Sequence, residues 1–200
     1  RNTVRGMEKR MRSDVLGDLR DVIPVMSSED SDSACFDNML ELLVRSGRSM
    51  PHSMMMMVPE AFGPTYHISR DKRAFYEYHS AIMEPWDGPA AMLFTDGRLL
   101  GGMLDRNGLR PCRYLVTTDG MVVIGSEAGV VEFSDERIRK KGRLHPGRMF
   151  LVDTAEGRII TNNEVKGKIA RRRPYRKWLE ENRIELRGFF DTPEMAKSDP

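Results

Sequence analysis

The feature that most constrains this chain is a change of period near residue 86. Before it, apolar residues recur at helical spacing. After it, short apolar runs are punctuated by Asp-Gly and Asn-Gly pairs. Phe36, Met39, Leu40, Leu43 and Val44 fall at i, i+3, i+4, i+7 and i+8, which is one face of a helix. Ser31 or Ser33 serves as its N-cap and Gly47 stops it. A second helix is expected from about Asp71 to Met83, capped by Ser69, with Phe75, Tyr78 and Ile82 on its apolar face and Pro85 beyond its end. Between the two, Pro51 opens a short helical turn over His52–Met57, whose four methionines read as flexible core filler. The first thirty residues carry no comparable signal, beyond a frayed helix within Arg1–Arg20.

Four apolar runs follow: Ala90–Phe94, Arg98–Leu104, Cys112–Val116 and Met121–Gly125. The turns between them hold Asp96-Gly97, Asn107-Gly108 and Asp119-Gly120, residue pairs that tolerate the positive φ of tight hairpins. The spacing predicts a four-stranded meander. Arg148–Asp153 and Arg158–Ile160 form a further hairpin, Asn163–Ala170 a helix, and Glu180–Pro200 a charged linker or tail. Helices followed by antiparallel strands indicate an α+β fold, layered as an α/β/β/α sandwich. There is no glycine-rich phosphate-binding motif, so a nucleotide-binding fold is not expected.

Composition narrows the function. Lysine and arginine number 32 against 30 acidic residues, a net charge of +2, which excludes a strongly basic nucleic-acid binder. The basic stretch Lys166–Lys177 holds Tyr175 as its one aromatic, with Trp178 just beyond, and reads as a solvated helix or a surface that docks a neighbouring domain. Met54–Val58 is the longest apolar stretch, against the roughly 20 residues a membrane helix needs. Two cysteines form neither a disulfide framework nor a metal pair, and four histidines are scattered without ligand spacing, so no metal is expected. Cys35 and Cys112 each sit in an apolar helix or strand and read as small buried hydrophobes rather than nucleophiles.

Three long motifs carry more than composition does. The run from Ser31, SDSACFDNMLELLVRSGRSMPHSMMMMVPEAF, the run from His67 through LDRNGLRP to GSEAGV, and KGRLHPGRMF with PYRKWLEENRIEL resemble the glutamine amidotransferase domain of the glutamate synthase large chain. The likeness covers Ser31 to Leu186, and the opening RNTVRG resembles the stretch after that family's H-N-G-E loop. It implies a fold of the N-terminal-nucleophile hydrolase type. It also implies hydrolysis of glutamine by an N-terminal thiol, with an Asn-Gly pair holding the oxyanion, and passage of the ammonia to reductive amination of 2-oxoglutarate. Here residue 1 is Arg, and the Asn-Gly pair, Asn107-Gly108, follows the SDS motif instead of preceding it. The expectation is therefore an incomplete sandwich: residues 1–178 as the C-terminal part of the domain, 179–200 as a linker toward a central domain, and no glutaminase activity alone.

One site residue carries over from the resemblance. Asp32 matches the aspartate that grips the glutamine α-ammonium, a charge-assisted contact roughly twice as strong as a neutral hydrogen bond. The rival reading makes Asp32 a helix-capping acid only. Asp105, Arg106, Asn107, Gly108 and Arg110 are read as a structural hairpin near the site, and Ser126-Glu127 as an anchor. For a parent enzyme, the resemblance implies FMN and an iron–sulfur cluster on other domains, and ferredoxin or an NAD(P)H-oxidising subunit as electron donor. It further implies a cytoplasmic or plastid setting and a role in ammonia assimilation. Missing partner strands would favour self-association of the piece. The alternatives are a non-catalytic scaffold of the same fold, or another class-II amidotransferase acting with phosphoribosylpyrophosphate or asparagine.

Overall fold

The computed structural model describes Glu8 and residues 11–26 and 29–184. The charged tail beyond Ile184 and most of the first ten residues lie outside the described residues. Within 11–26 the regular element is a single 3-10 turn, Leu19–Asp21.

Helix α1 spans Asp32–Arg45 and buries Phe36, Met39, Leu40 and Leu43 of the stripe expected from spacing, together with Cys35, while Val44 is half-buried. Ser31 is its cap, its Oγ accepting from the Ala34 amide at 3.1 Å. Gly47 ends it at φ 92°, a left-handed conformation that favours glycine, with its amide donating to the Val44 carbonyl. Helix α2, Met50–Met57, is buried on every side, which a helix with five methionines tolerates because flexible thioethers fill irregular space. Helix α3, Arg70–Ser80, starts at Ser69, whose Oγ accepts from the Lys72 amide.

The strands are β1 (Ala91–Thr95), β2 (Leu99–Leu104), β3 (Arg113–Thr117), β4 (Val122–Gly125), β5 (Ile138–Arg143), β6 (Met149–Asp153) and β7 (Arg158–Ile160). They do not form the expected meander. β1 and β2 join a four-stranded antiparallel sheet ordered β1-β2-β6-β7, whereas β3 and β4 belong to a three-stranded sheet ordered β4-β3-β5. The hairpins themselves are as expected; the division between sheets comes from partners about fifty residues away for β2 and about thirty for β3. Gly101 of β2 pairs with Leu151 of β6, and Tyr114 of β3 pairs with Gly142 of β5. β5, sequence IRKKGR, has no apolar alternation and gives no strand signal of its own.

The two faces of the large sheet differ. Phe94, Met103, Met149 and Leu151 point to the helices and share one core with α1, α2 and α3. Leu104 and Phe150 point the other way, where Cys112, Tyr114, Ile124 and Leu144 close a second core between the sheets. Tyr114 and Phe150 lie across that gap with ring centroids 4.5 Å apart. Glycines permit these aromatics to lie flat. A Cβ on Gly101 would fall inside the Phe94 ring, and one on Gly142 inside the Tyr114 ring. The result is an α+β fold with helices on one face of the large sheet and the small sheet on the other.

Helix α4, Asn162–Ala170, and helix α5, Tyr175–Asn182, are the last elements among the described residues, with α5 packed along α3. The basic stretch is not uniformly solvated. Lys166 is fully buried, its Nζ donating to the Gly147 carbonyl at 2.6 Å and lying 3.4 Å from Glu60. Burial draws its pKa down to about 8 against the opposing pull of Glu60. Helix α5 also continues past residue 178 into the segment read as linker, with Trp178 and Leu179 packed on the core.

Candidate functional site

Asp32 is the first residue of α1, exposed, and beside the positive end of that helix. It borders a hollow of about 720 Å³, within the range usual for small-molecule sites. Phe36, Leu40 and Met54 give the hollow an apolar lining. The segment Trp86–Phe94 forms an opposite wall, and Arg110 and Ser126 also face it. Phe36 and Trp86 meet edge to face at 5.3 Å, which joins the wall to α1. The Trp86 amide donates to the Met57 carbonyl at 2.7 Å and fixes the start of the wall to α2.

The far end of the wall is held by Asp105. This carboxylate is 4% exposed and accepts three backbone amides: Ala90 at 3.1 Å, Asn107 at 3.0 Å and Gly108 at 3.1 Å. Backbone bonds add to the clamp, since the Asp105 amide donates to Ala90 and the Gly147 amide donates to the Asp105 carbonyl. Gly147 in turn receives Lys166, which sits beside Glu60, and Glu60 also bridges Lys72 and the Tyr76 hydroxyl. The burial of Tyr76, with Glu60 beside it, holds that phenol neutral. A continuous polar network thus runs from α4 to the wall of the hollow. Sequence reasoning treats the 105–110 stretch as a structural hairpin and misses Lys166 and Glu60, which lie far apart in the chain.

The other flagged residues separate from the site. Cys35 and Cys112 are both buried and belong to different cores, and burial raises the Cys112 thiol's pKa. Asn107-Gly108 forms the turn under Asp105, with its amides committed to that carboxylate. Among the described residues no group of three or more histidine, cysteine or acidic side chains is placed to hold a metal ion. No described helix is long and apolar enough to cross a membrane.

Fold and hollow together define a class of protein. The chain matches the family of class-II glutamine amidotransferases over residues 1–178, and it belongs to that family. Its relatives are more specific. It is 48% identical over 186 residues to the glutamate synthase [NADPH] large chain of Bacillus subtilis (strain 168), a match covering 92% of this chain and 12% of the relative. It is 46% identical over 194 residues to glutamate synthase [NADH] of Schizosaccharomyces pombe, covering 96% of this chain and 9% of that protein. Against the chloroplastic ferredoxin-dependent glutamate synthase 2 of Arabidopsis thaliana the identity is 44% over 190 residues, covering 93% and 12%. The chain thus spans only 9–12% of the length of these three relatives.

Proposed function

We propose that this chain forms the glutamine-recognition half of the ammonia-supplying domain of a glutamate synthase. The observation that carries this is the position of Asp32 at the rim of a small-molecule-sized hollow, at the head of α1. A carboxylate there pairs with the α-ammonium of glutamine, and Arg110 at the same hollow supplies the opposite charge for its α-carboxylate. An amino acid lacking the amine forgoes that charge-assisted contact and binds less well. The two thiols of the chain are both buried, so attack on the side-chain amide is assigned to a thiol that this chain does not carry. The chain alone then binds glutamine without hydrolysing it.

In the parent reaction the released ammonia aminates 2-oxoglutarate reductively, with electrons from ferredoxin or a nicotinamide, in cytoplasm or plastid. The FMN and iron–sulfur cluster of that reaction belong to other domains. Cys35 and Cys112 lie in separate apolar cores and do not fit a cluster. Residues 1–178 serve as the amidotransferase unit, the remainder leads to the next domain, and the unpaired sheet edges favour self-association.

The test is an NMR titration of the chain with L-glutamine and with the same compound lacking the α-amine. Resonances of Ser33 and the Trp86 indole should shift with glutamine alone, and Asp32→Ala should abolish the shift. Shifts that persist in Asp32→Ala overturn the site. Ammonia release by the chain overturns the assignment of the nucleophile elsewhere.

A further inference from the structure

On the side of the α1–α2 turn, away from the glutamine hollow, lies a second polar depression of about 310 Å³. Arg12, Arg48, Arg172 and Arg173 all line it, and Asp14 is the one acidic residue that does. Arg48 is half-buried. Its guanidinium donates to the Ser46 hydroxyl at 2.6 Å, and it has no carboxylate partner among the described residues. Arg172 and Arg173 likewise make no ion pair there among the described residues. A guanidinium partly withdrawn from water without a counter-charge is costly, and three more cations around it add repulsion. An arrangement of this kind is relieved by an anion.

The same depression is lined by His52 and His79, both largely buried, whose Nε2 atoms lie 3.1 Å apart. Their proton positions follow from one neighbour. The Phe75 carbonyl can only accept, so the His79 Nδ1, 2.7 Å away, carries the proton. A neutral His79 then offers the lone pair of Nε2, and His52 must donate from its own Nε2. That leaves the His52 Nδ1 as a bare lone pair. It is the one buried side-chain polar atom without a hydrogen-bond partner among the described residues. Such an atom lacks a donor, not a second acceptor.

The two needs differ, and one chemical class meets both. Guanidinium groups call for negative oxygen in a planar fork, and the orphaned nitrogen calls for an O–H. We infer that this depression binds a small protonated oxyanion of the phosphate class, such as hydrogen phosphate or a phosphomonoester monoanion. Arg48 and Arg172 hold its oxygens, and His52 accepts its P–O–H. Sulfate lacks the proton at neutral pH, and a carboxylate lacks both the proton and the third oxygen. The site is separate from the glutamine hollow and stands whether or not Asp32 binds substrate.

Titration of the chain with inorganic phosphate, in a cationic buffer near pH 7, tests the site. Saturable shifts of the His52 and His79 ring resonances are expected, with calorimetry giving the affinity. Arg48→Met should weaken binding by roughly tenfold or more, as should Arg172→Ala. The exposed Arg172 lets the second variant answer even where the first fails to fold. Arg45→Ala, which removes a surface cation paired with Glu41, should leave binding unchanged. Absence of saturation, or equal affinity in Arg172→Ala, overturns the inference. Acetate or sulfate binding as tightly as phosphate also overturns it, acetate by assigning the cations to an acidic side chain of a partner polypeptide.

Discussion

Stability should fall steeply in mild acid, and His52 and His79 are the reason. Burial holds His52 down to about 3, aided by His79, Arg48 and Arg172. Burial likewise holds His79 down to about 4, against the stabilising bond to the Phe75 carbonyl and with Arg48 adding to the depression. Both imidazoles are therefore neutral in the folded chain at pH 5, whereas in the unfolded chain, near 6.5, they are almost wholly protonated. A group whose folded pKa is depressed contributes its stability above the unfolded value and loses it as pH falls toward the folded one. The window is thus about pH 6.5 down to about 4 for His79 and 3 for His52. Each pH unit in that window costs about 1.4 kcal/mol per imidazole. From pH 7 to pH 5 the pair together costs about 4 kcal/mol, a large part of a typical stability of 5–15 kcal/mol. Above about pH 4 that slope is free of Asp153, which the Arg98 guanidinium holds down to about 2 and whose contribution is lost only as pH falls below about 4. Urea unfolding at pH 7, 6 and 5, followed by tryptophan fluorescence in phosphate-free buffer, measures the slope. A double variant, His52→Gln with His79→Gln, should flatten it whatever its absolute stability. A wild-type midpoint that does not move between pH 7 and pH 5, or a double variant with the wild-type slope, refutes the reasoning.

Two further outcomes follow from the wall of the hollow beside Asp32 and the large sheet. Asp105→Ala removes three amide acceptors at once, and with about 1 kcal/mol lost for each it should destabilise the chain by about 3 kcal/mol in urea titration. Asp105→Asn should recover only part of that, since its amide group faces amide donors. Gly101→Ala drives a methyl into the Phe94 ring and should cost roughly 1–3 kcal/mol by thermal melting. Combining it with Phe94→Leu should restore part of the loss.

What the sequence makes legible here is what neighbours in the chain decide. Ser31 and Ser69 cap their helices three residues on, Gly47 ends α1, and Asp96-Gly97 and Asp119-Gly120 turn their hairpins. The place of Asp32 at the start of α1 is legible for the same reason, since its motif and the helix cap are one local unit. Distant pairing is not. Whether β2 continues into β3 or turns to β6 depends on contacts across about fifty residues, and no turn signal encodes them. After Ile138, β5 is all charge and glycine, most of it facing water, so its strand character resides in β3. His52 and His79 are 27 residues apart and meet only once α2 packs on α3. Lys166 belongs by composition to a solvated basic run, and only the convergence of Gly147 and Glu60 explains its burial.

These two kinds of information meet at the hollow beside Asp32. One side, Asp32 with Phe36 and Leu40, rides on α1 and is fixed by a cap and an apolar stripe. The other side, Pro89 to Ala91, belongs to a segment whose position is set by Asp105, and Asp105 is tied through Gly147 to Lys166 in α4. A change in the α4 network therefore moves the wall without touching the rim that holds Asp32. Lys166 makes that coupling sensitive. Its charge is already weakened by burial, so Glu60 and the Gly147 carbonyl together keep it protonated. The width of the hollow is thus set in part by residues that never face it, and the side chains lining a cleft are only part of what determines its shape.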